Sequence, residues 1–222
     1  SYLVIHGKDD LNFCDPNVRW YQDALIADLK KASQINDNIG VVIHQGKNVT
    51  RLGLTKKQAQ LNYVRQVSQV LAKTDELKNP IFLENSCQQG TELGYDLEGL
   101  AEIWNLFTDQ DKKRLGFCLD TCHIFVAGTL QMKDNNDVDN FFNEFDRLLG
   151  IENLKLIHFN DSKTPFDGHN DHHHDILGGF ITNPDYLSPV KKYQKVSPDQ
   201  AYGSIMGLSR VLTWAKKYDI PC

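Results

Sequence analysis

The chain has 222 residues, 41% of them hydrophobic, with 24 basic against 29 acidic side chains and a net charge of −5. That is ample material for the core of one large domain, and the acidic balance argues against a basic surface built to grip nucleic acid by charge alone. No run approaches the roughly 20 apolar residues of a membrane span, no basic-then-apolar leader is visible, and the five cysteines match no C-x-x-C pattern, so they read as reduced structural thiols of an intracellular protein, cytoplasmic or nuclear.

In chain order, five short apolar runs each stop on a side chain of a metal-binding type. Leu3-Val4-Ile5 leads to His6, Val41-Val42-Ile43 to His44, Ile81-Phe82-Leu83 to Glu84, Leu115 to Leu119 leads to Asp120, and Leu154 to Ile157 leads to His158. Consecutive ends lie 36 to 40 positions apart, close to the roughly 30–40 residues that a strand and its returning helix occupy. Apolar stripes of helical spacing fill the gaps. They predict helices over 17–35, over 55–77 with Thr55 as N-cap, over 97–107, from Asp137 or Asp139 to a stop at Gly150, and over 201–218. The segment from Asn160 to Asp199 is polar, lacks a long periodic run, and is long enough to suggest a functional connection.

A repeated strand-and-helix unit predicts a parallel α/β fold, a (β/α)8 TIM barrel. The whole of 1–222 reads as one partial barrel domain of five or six units, cut at both ends so that the first strands and the last fall outside it. Parallel strands place their C-terminal ends on one rim, so the five end residues should converge there. His, Glu and Asp together fill about one position in six, which makes five such endings in five runs unlike chance. Asp120-Thr121-Cys122-His123 adds an imidazole three residues beyond a strand-end carboxylate. Asp171-His172-His173-His174 adds a compact cluster in the long loop, where Asp171 and His173 can point the same way. Imidazole with carboxylate favours zinc, manganese or iron over calcium or magnesium.

Four stretches together resemble the endonuclease IV-type apurinic/apyrimidinic (AP) endonucleases: Glu84-Asn-Ser-Cys-Gln-Gln-Gly, Leu119-Asp-Thr-Cys-His123, His158-Phe-Asn-Asp-Ser-Lys163 and Asp171-His-His-His174. The resemblance implies an eight-stranded, xylose-isomerase-like barrel holding three Zn2+, with Mn2+ an alternative at one position. It implies a monomer that hydrolyses the phosphodiester 5′ to an abasic site in double-stranded DNA during base excision repair. By motif, His6 and His44 resemble ligands of one ion, and Glu84 the bridging ligand that activates the attacking water. Asp120 and His158 resemble ligands of a second ion, and His123, Asp171 and His173 those of a third. A ninth ligand, a glutamate after a segment like Ile220-Pro221, is not in this chain. Gly7-Lys8-Asp9-Asp10 stands where the family carries a DNA-contacting aromatic, so DNA contacts stay unassigned. The loop from Thr182 to Pro198, with Lys191, Lys192 and Lys195, is longer than the family's. The rival expectation is a sugar isomerase or epimerase, which places similar residues at strand ends but uses one or two ions.

Overall fold

The computed structural model describes residues 4–6, 11–183 and 198–222. Five parallel strands, β1 (Val4–His6), β2 (Gly40–His44), β3 (Ile81–Glu84), β4 (Leu115–Asp120) and β5 (Leu154–His158), lie side by side in chain order. Helices connect them: α1 (Trp20–Ile35), α2 (Lys56–Lys73), α3 (Leu97–Trp104) with the short α4 (Asp109–Lys112), and α5 (Thr121–Val126) with α6 (Asn135–Leu149). A last helix, α7 (Pro198–Lys217), packs on α6. The result is an arc of neighbouring staves from a parallel α/β barrel.

The strands read as near-continuous apolar runs because both of their faces are covered. Residues on β3 and β4 are buried throughout. On the outer side their side chains join the core shared with the helices, while Val42, Phe82, Cys118 and Leu156 form a separate inner cluster. Each member of that inner cluster sits two positions before His44, Glu84, Asp120 or His158. Side chains alternate along a strand, so the four end residues face the same way, one layer above this apolar floor. The register pairs His44 with Glu84 and Asp120 with His158, and staggers the two pairs by two residues, with Glu84 opposite Cys118. Phe82 needs room to fill the floor, and Gly40 supplies it, because a β-carbon there would stand 2.2 Å from the Phe82 ring.

Helix ends differ from the sequence reading where side-chain caps decide them. Thr55 caps α2 as expected, in a reciprocal pair with Gln58. At α6 the cap is Asp134, whose carboxylate accepts from Asp137 N at 2.9 Å, so the helix starts earlier than Asp137 or Asp139. Residues 12–17 form turns, with Asn17 N donating to Asp15 Oδ1 at 2.9 Å, and α1 begins at Trp20 rather than Asn17. The helix expected over 97–107 is shorter, since α3 ends at Trp104, and a separate short helix, α4, follows beyond that span with Thr108 as its cap. Helix α7 starts at Pro198, before Ala201. The long connection contains an antiparallel pair, β6 (Asp161–Ser162) with β7 (His173–His174), too short for periodicity to announce.

No helix among the described residues is long and apolar enough to cross a membrane. All five cysteines are free thiols. Gly7 to Asp10, most of the loop after Thr182 with its three lysines, and the side chain of His6 lie outside the described residues.

Candidate metal centre

Glu84 is the centre of the rim. It is 1% exposed, its Oε1 accepts from His158 Nδ1 at 2.7 Å, and its Oε2 lies 3.5 Å from His44 Nε2. A carboxylate this buried is stable only among cationic or donor groups, and the rim provides imidazoles on both sides.

Asp120 serves two purposes at once. Its Oδ1 accepts from Cys122 N at 2.7 Å and from His123 N at 3.1 Å, which N-caps α5 where the chain turns from strand to helix. The cap accounts for the three-residue spacing in Asp-Thr-Cys-His, because it fixes His123 in the first helical turn beside the strand end. Oδ2 faces the rim, 3.6 Å from His173 Nε2 and 3.8 Å from His158 Nδ1, and accepts from Asn160 Nδ2 at 2.6 Å.

His123 is held from behind. Its Nδ1 donates to the Asn85 carbonyl at 2.8 Å, an acceptor only, so the ring presents Nε2 to the cavity. Metal-ligating histidines are commonly oriented in this way. Around that nitrogen stand Asp171 Oδ2 at 3.2 Å and His173 Nε2 at 3.5 Å, while His173 Nε2 lies 3.0 Å from Asp171 Oδ1. Burial alone would lower the His123 pKa, but Asp120, Asp171 and Glu84 outweigh it and hold the ring up at about 10. Asp171 raises His173. Burial opposes ionisation of Asp171 itself, yet His123 and His173 carry its pKa below the carboxylate range.

These distances provide a test of fit. Two ligands at about 2.1 Å from a tetrahedral ion stand about 3.4 Å apart, and the three separations within His123, Asp171 and His173 bracket that value. Ligand-type atoms of Asp120, His123 and His173, and of Glu84, Cys118 and His158, also lie within 4.8 Å of one another. The donor set therefore suits divalent cations. A cavity of about 400 Å³ opens beside it, lined by His44, His123 and Asp171 together with Asn12, Lys47 and Gln89.

Seven residues expected from the sequence, His44, Glu84, Asp120, His123, His158, Asp171 and His173, meet at this rim. The eighth, His6, ends β1 beside β2. Three supporting residues lie within the quoted motifs but were given no role from the sequence. Asn85 bonds both backbone groups of Asp120, Asn160 holds Oδ2 of the same aspartate, and Asp161 anchors the loop beyond β7.

The model of one protein family, the xylose isomerase-like TIM barrel, matches residues 2–195. The chain belongs to that family. Within the xylose isomerase-like barrels it is of the endonuclease IV type, being 36% identical over 198 residues to a protein of Acanthamoeba polyphaga mimivirus that bears the name endonuclease 4. That alignment takes in 87% of this chain and 62% of the viral protein, so the chain spans about three-fifths of its relative's length. The solved endonuclease IV of Thermus thermophilus superposes with a TM-score of 0.65 at 22% identity, over 97% of this chain and 76% of that one. A D-tagatose 3-epimerase-like protein superposes equally well, with a TM-score of 0.65 at 21% identity over 98% and 78%. Shape alone therefore does not separate a nuclease from an epimerase. The side chains on the rim must do so.

Proposed function

We propose that the full-length protein is a metal-dependent AP endonuclease, acting as an intracellular monomer on double-stranded DNA and hydrolysing the phosphodiester 5′ to an abasic site. The observation that carries this reading is the His123–Asp171–His173 cluster, an additional ligand set above the strand-end residues. A sugar isomerase with one or two ions has no use for it. The four joint motifs and the endonuclease 4 relative support the same reading.

The residues fit Zn2+ best, three ions in the complete protein, with Mn2+ an alternative at one position. His6 and His44 would hold one, Asp120 and His158 a second, and His123, Asp171 and His173 the third, with Glu84 shared between the first two. When bound, such ions supply Lewis-acid polarisation of the phosphate and ionised water near neutral pH. The chain's own contribution is positional and protolytic. Glu84 offers a buried carboxylate to take a proton from the attacking water. Asn85 and Asn160 keep His123 and Asp120 aimed at the cavity. Val42, Phe82, Cys118 and Leu156 form a buried apolar cluster two residues before the strand ends.

A nicking assay on a 5′-labelled duplex with a single abasic site tests the proposal. Zinc-loaded full-length protein should cut 5′ to the site, a chelator should stop it, and zinc should restore it. If the reloaded protein left that duplex intact, the reading would fall.

A further inference from the structure

We propose that Lys47 and Glu92 form a second reactive centre in the cavity beside the metal site, an imine-forming lyase that breaks the 3′ bond of the abasic sugar. The proposal takes its substrate from the endonuclease reading above. Among the described residues that line this cavity, Lys47 carries the only primary amine. It stands three residues after His44, and His44, His123 and Asp171 bound the same space.

The backbone at Lys47 is held on both sides. Lys47 N donates to Asn12 Oδ1 at 3.0 Å, and its carbonyl accepts from Asn12 Nδ2 at 3.0 Å. The loops that follow β2 and β3 are bridged antiparallel at Lys47 and Glu92. Asn48 N donates to the Thr91 carbonyl at 2.9 Å, and Leu93 N to the Gly46 carbonyl at 3.0 Å. This bridge sets Lys47 Nζ 3.2 Å from Glu92 Oε1. Oε2 of Glu92 accepts from Gln89 N at 2.8 Å and from Cys87 Sγ at 3.4 Å, which fixes the carboxylate. The Glu92 side chain is 13% exposed and that of Lys47 49%. An ion pair this open contributes little to stability, so stability does not account for the tethers around it. An amine, a carboxylate in contact with it and open space for a substrate are the parts that imine chemistry needs.

The substrate brings the matching atom. An abasic nucleotide has no base, so its C1′ is an aldehyde when the sugar ring opens. That sugar is bonded to the phosphate the metal site would cut, so it lies within one sugar of His44, His123 and Asp171, and the cavity is the space beside them. Glu92 takes a proton from the Lys47 ammonium, and the amine nitrogen adds to C1′. Glu92 returns the proton to the hydroxyl on C1′, which leaves as water, and an iminium remains. The carboxylate then removes a proton from C2′. The electrons of that C–H bond pass into the iminium to give an enamine, and they return to expel the 3′ phosphate with the electron pair of the C3′–O bond. Water hydrolyses the iminium, which frees an unsaturated aldehyde and the Lys47 ammonium, and Glu92 gives up its proton to solvent. The sequence needs no oxidant and no reductant.

The test uses zinc-loaded full-length protein and a duplex already nicked 5′ to the abasic residue, labelled at the 3′ end of the strand that carries it. Wild type should shorten that strand by the sugar and leave a 5′ phosphate, and borohydride should trap a labelled adduct that maps to Lys47. Lys47→Arg keeps a cation for Glu92, so it should hold its metal and melt like wild type, yet form no adduct at that position and eliminate about 100-fold or more slowly. Glu92→Gln keeps an amide oxygen for Gln89 N and should still form the adduct, with elimination slowed about 100-fold or more. An adduct that maps only to other lysines, or elimination that survives Lys47→Arg, overturns the lyase. Loss of metal or early melting in Lys47→Arg overturns it too, by marking the lysine as structural support. Nicking of an intact abasic duplex, measured alongside, reads the endonuclease separately. Nicking with no adduct at Lys47 removes the lyase alone, and an adduct at Lys47 with no nicking removes the endonuclease alone.

Discussion

Glu84 is nearly solvent-free and within 4.0 Å of nitrogen atoms on His44, His123 and His158. Its shape is satisfied by packing, and its charge is what the rim uses. Glu84→Gln should therefore fold with a near-native melting temperature and lose about 100-fold or more in abasic-site cleavage, the range for removing a general base. Near-native cleavage by the variant would take Glu84 out of the mechanism. Glu84 was legible in the sequence because a side chain of a metal-binding type recurs at each of the five strand ends. Asn85 and Asn160 stood in the quoted motifs, but their roles were not legible, because each acts by a hydrogen bond to Asp120, 35 and 40 residues away in sequence, and no periodic pattern marks such a bond. Cys14 gives a residue-scale prediction remote from the rim. Burial pushes its thiol from 9.0 up to about 12, so the folded chain keeps a proton that the unfolded chain releases. The stability that Cys14 contributes is full below pH 9 and is lost as pH rises from 9 toward 12. Urea unfolding of wild type and Cys14→Ala should show a stability gap at pH 8 that narrows by about 1.4 kcal/mol for each pH unit above 9. A gap independent of pH would contradict the buried thiol.

At the scale of elements, amphipathic stripes announced which helices exist, and capping chemistry set their ends. Thr55 was legible because its capping partner, Gln58, lies three residues on. Asp134 was not, because Asp137 and Asp139 compete with it in the same sequence, and the outcome depends on tertiary partners. Asp137 Oδ2 instead accepts from Lys133 N, while Asp139 receives Arg210 Nε at 2.7 Å and Trp214 Nε1 at 2.6 Å from α7. Packing of α7 on the segment that leads into α6 explains a glycine within a helix. At Gly207 a β-carbon would stand 1.9 Å from the Met132 carbonyl oxygen. Alanine ordinarily stabilises a helix interior relative to glycine by about 0.5–1 kcal/mol, but here it would press backbone against backbone. Gly207→Ala should destabilise the protein by about 2 kcal/mol, read from denaturant midpoints at constant m. A stabilised variant would mean that α7 does not rest on Met132.

At the scale of the whole molecule, the proposed centre has two supports of different origin. His44 and Glu84 are paired across β2 and β3, and Asp120 and His158 across β4 and β5, all four two residues beyond a buried apolar cluster, while Glu84 lies opposite Cys118 on β4. His123 and His173 come instead from the first turn of α5 and from β7, with Asp171 in the loop just before it. That difference makes the ion count separable by mutation. In the three-ion site, His173→Ala removes a ligand from the set completed by His123 and Asp171. The strand-end residues keep their positions, because the barrel sheet and not this loop builds them. Elemental analysis of full-length protein should therefore find about three ions per chain in wild type and about two in the variant. Abasic-site nicking should slow by about 100-fold or more, as expected when charge stabilisation at the reacting phosphate is lost. Thermal stability should change little, since His173 is half-exposed on a two-residue strand. An isomerase-type centre makes the opposite prediction, because His173 would then be only a loop residue. Substitution would leave the ion count unchanged and move stability by no more than about 0.5 kcal/mol. An equal ion count in the two proteins refutes the third site, and a lower count with undiminished nicking shows that its ion takes no part in cleavage.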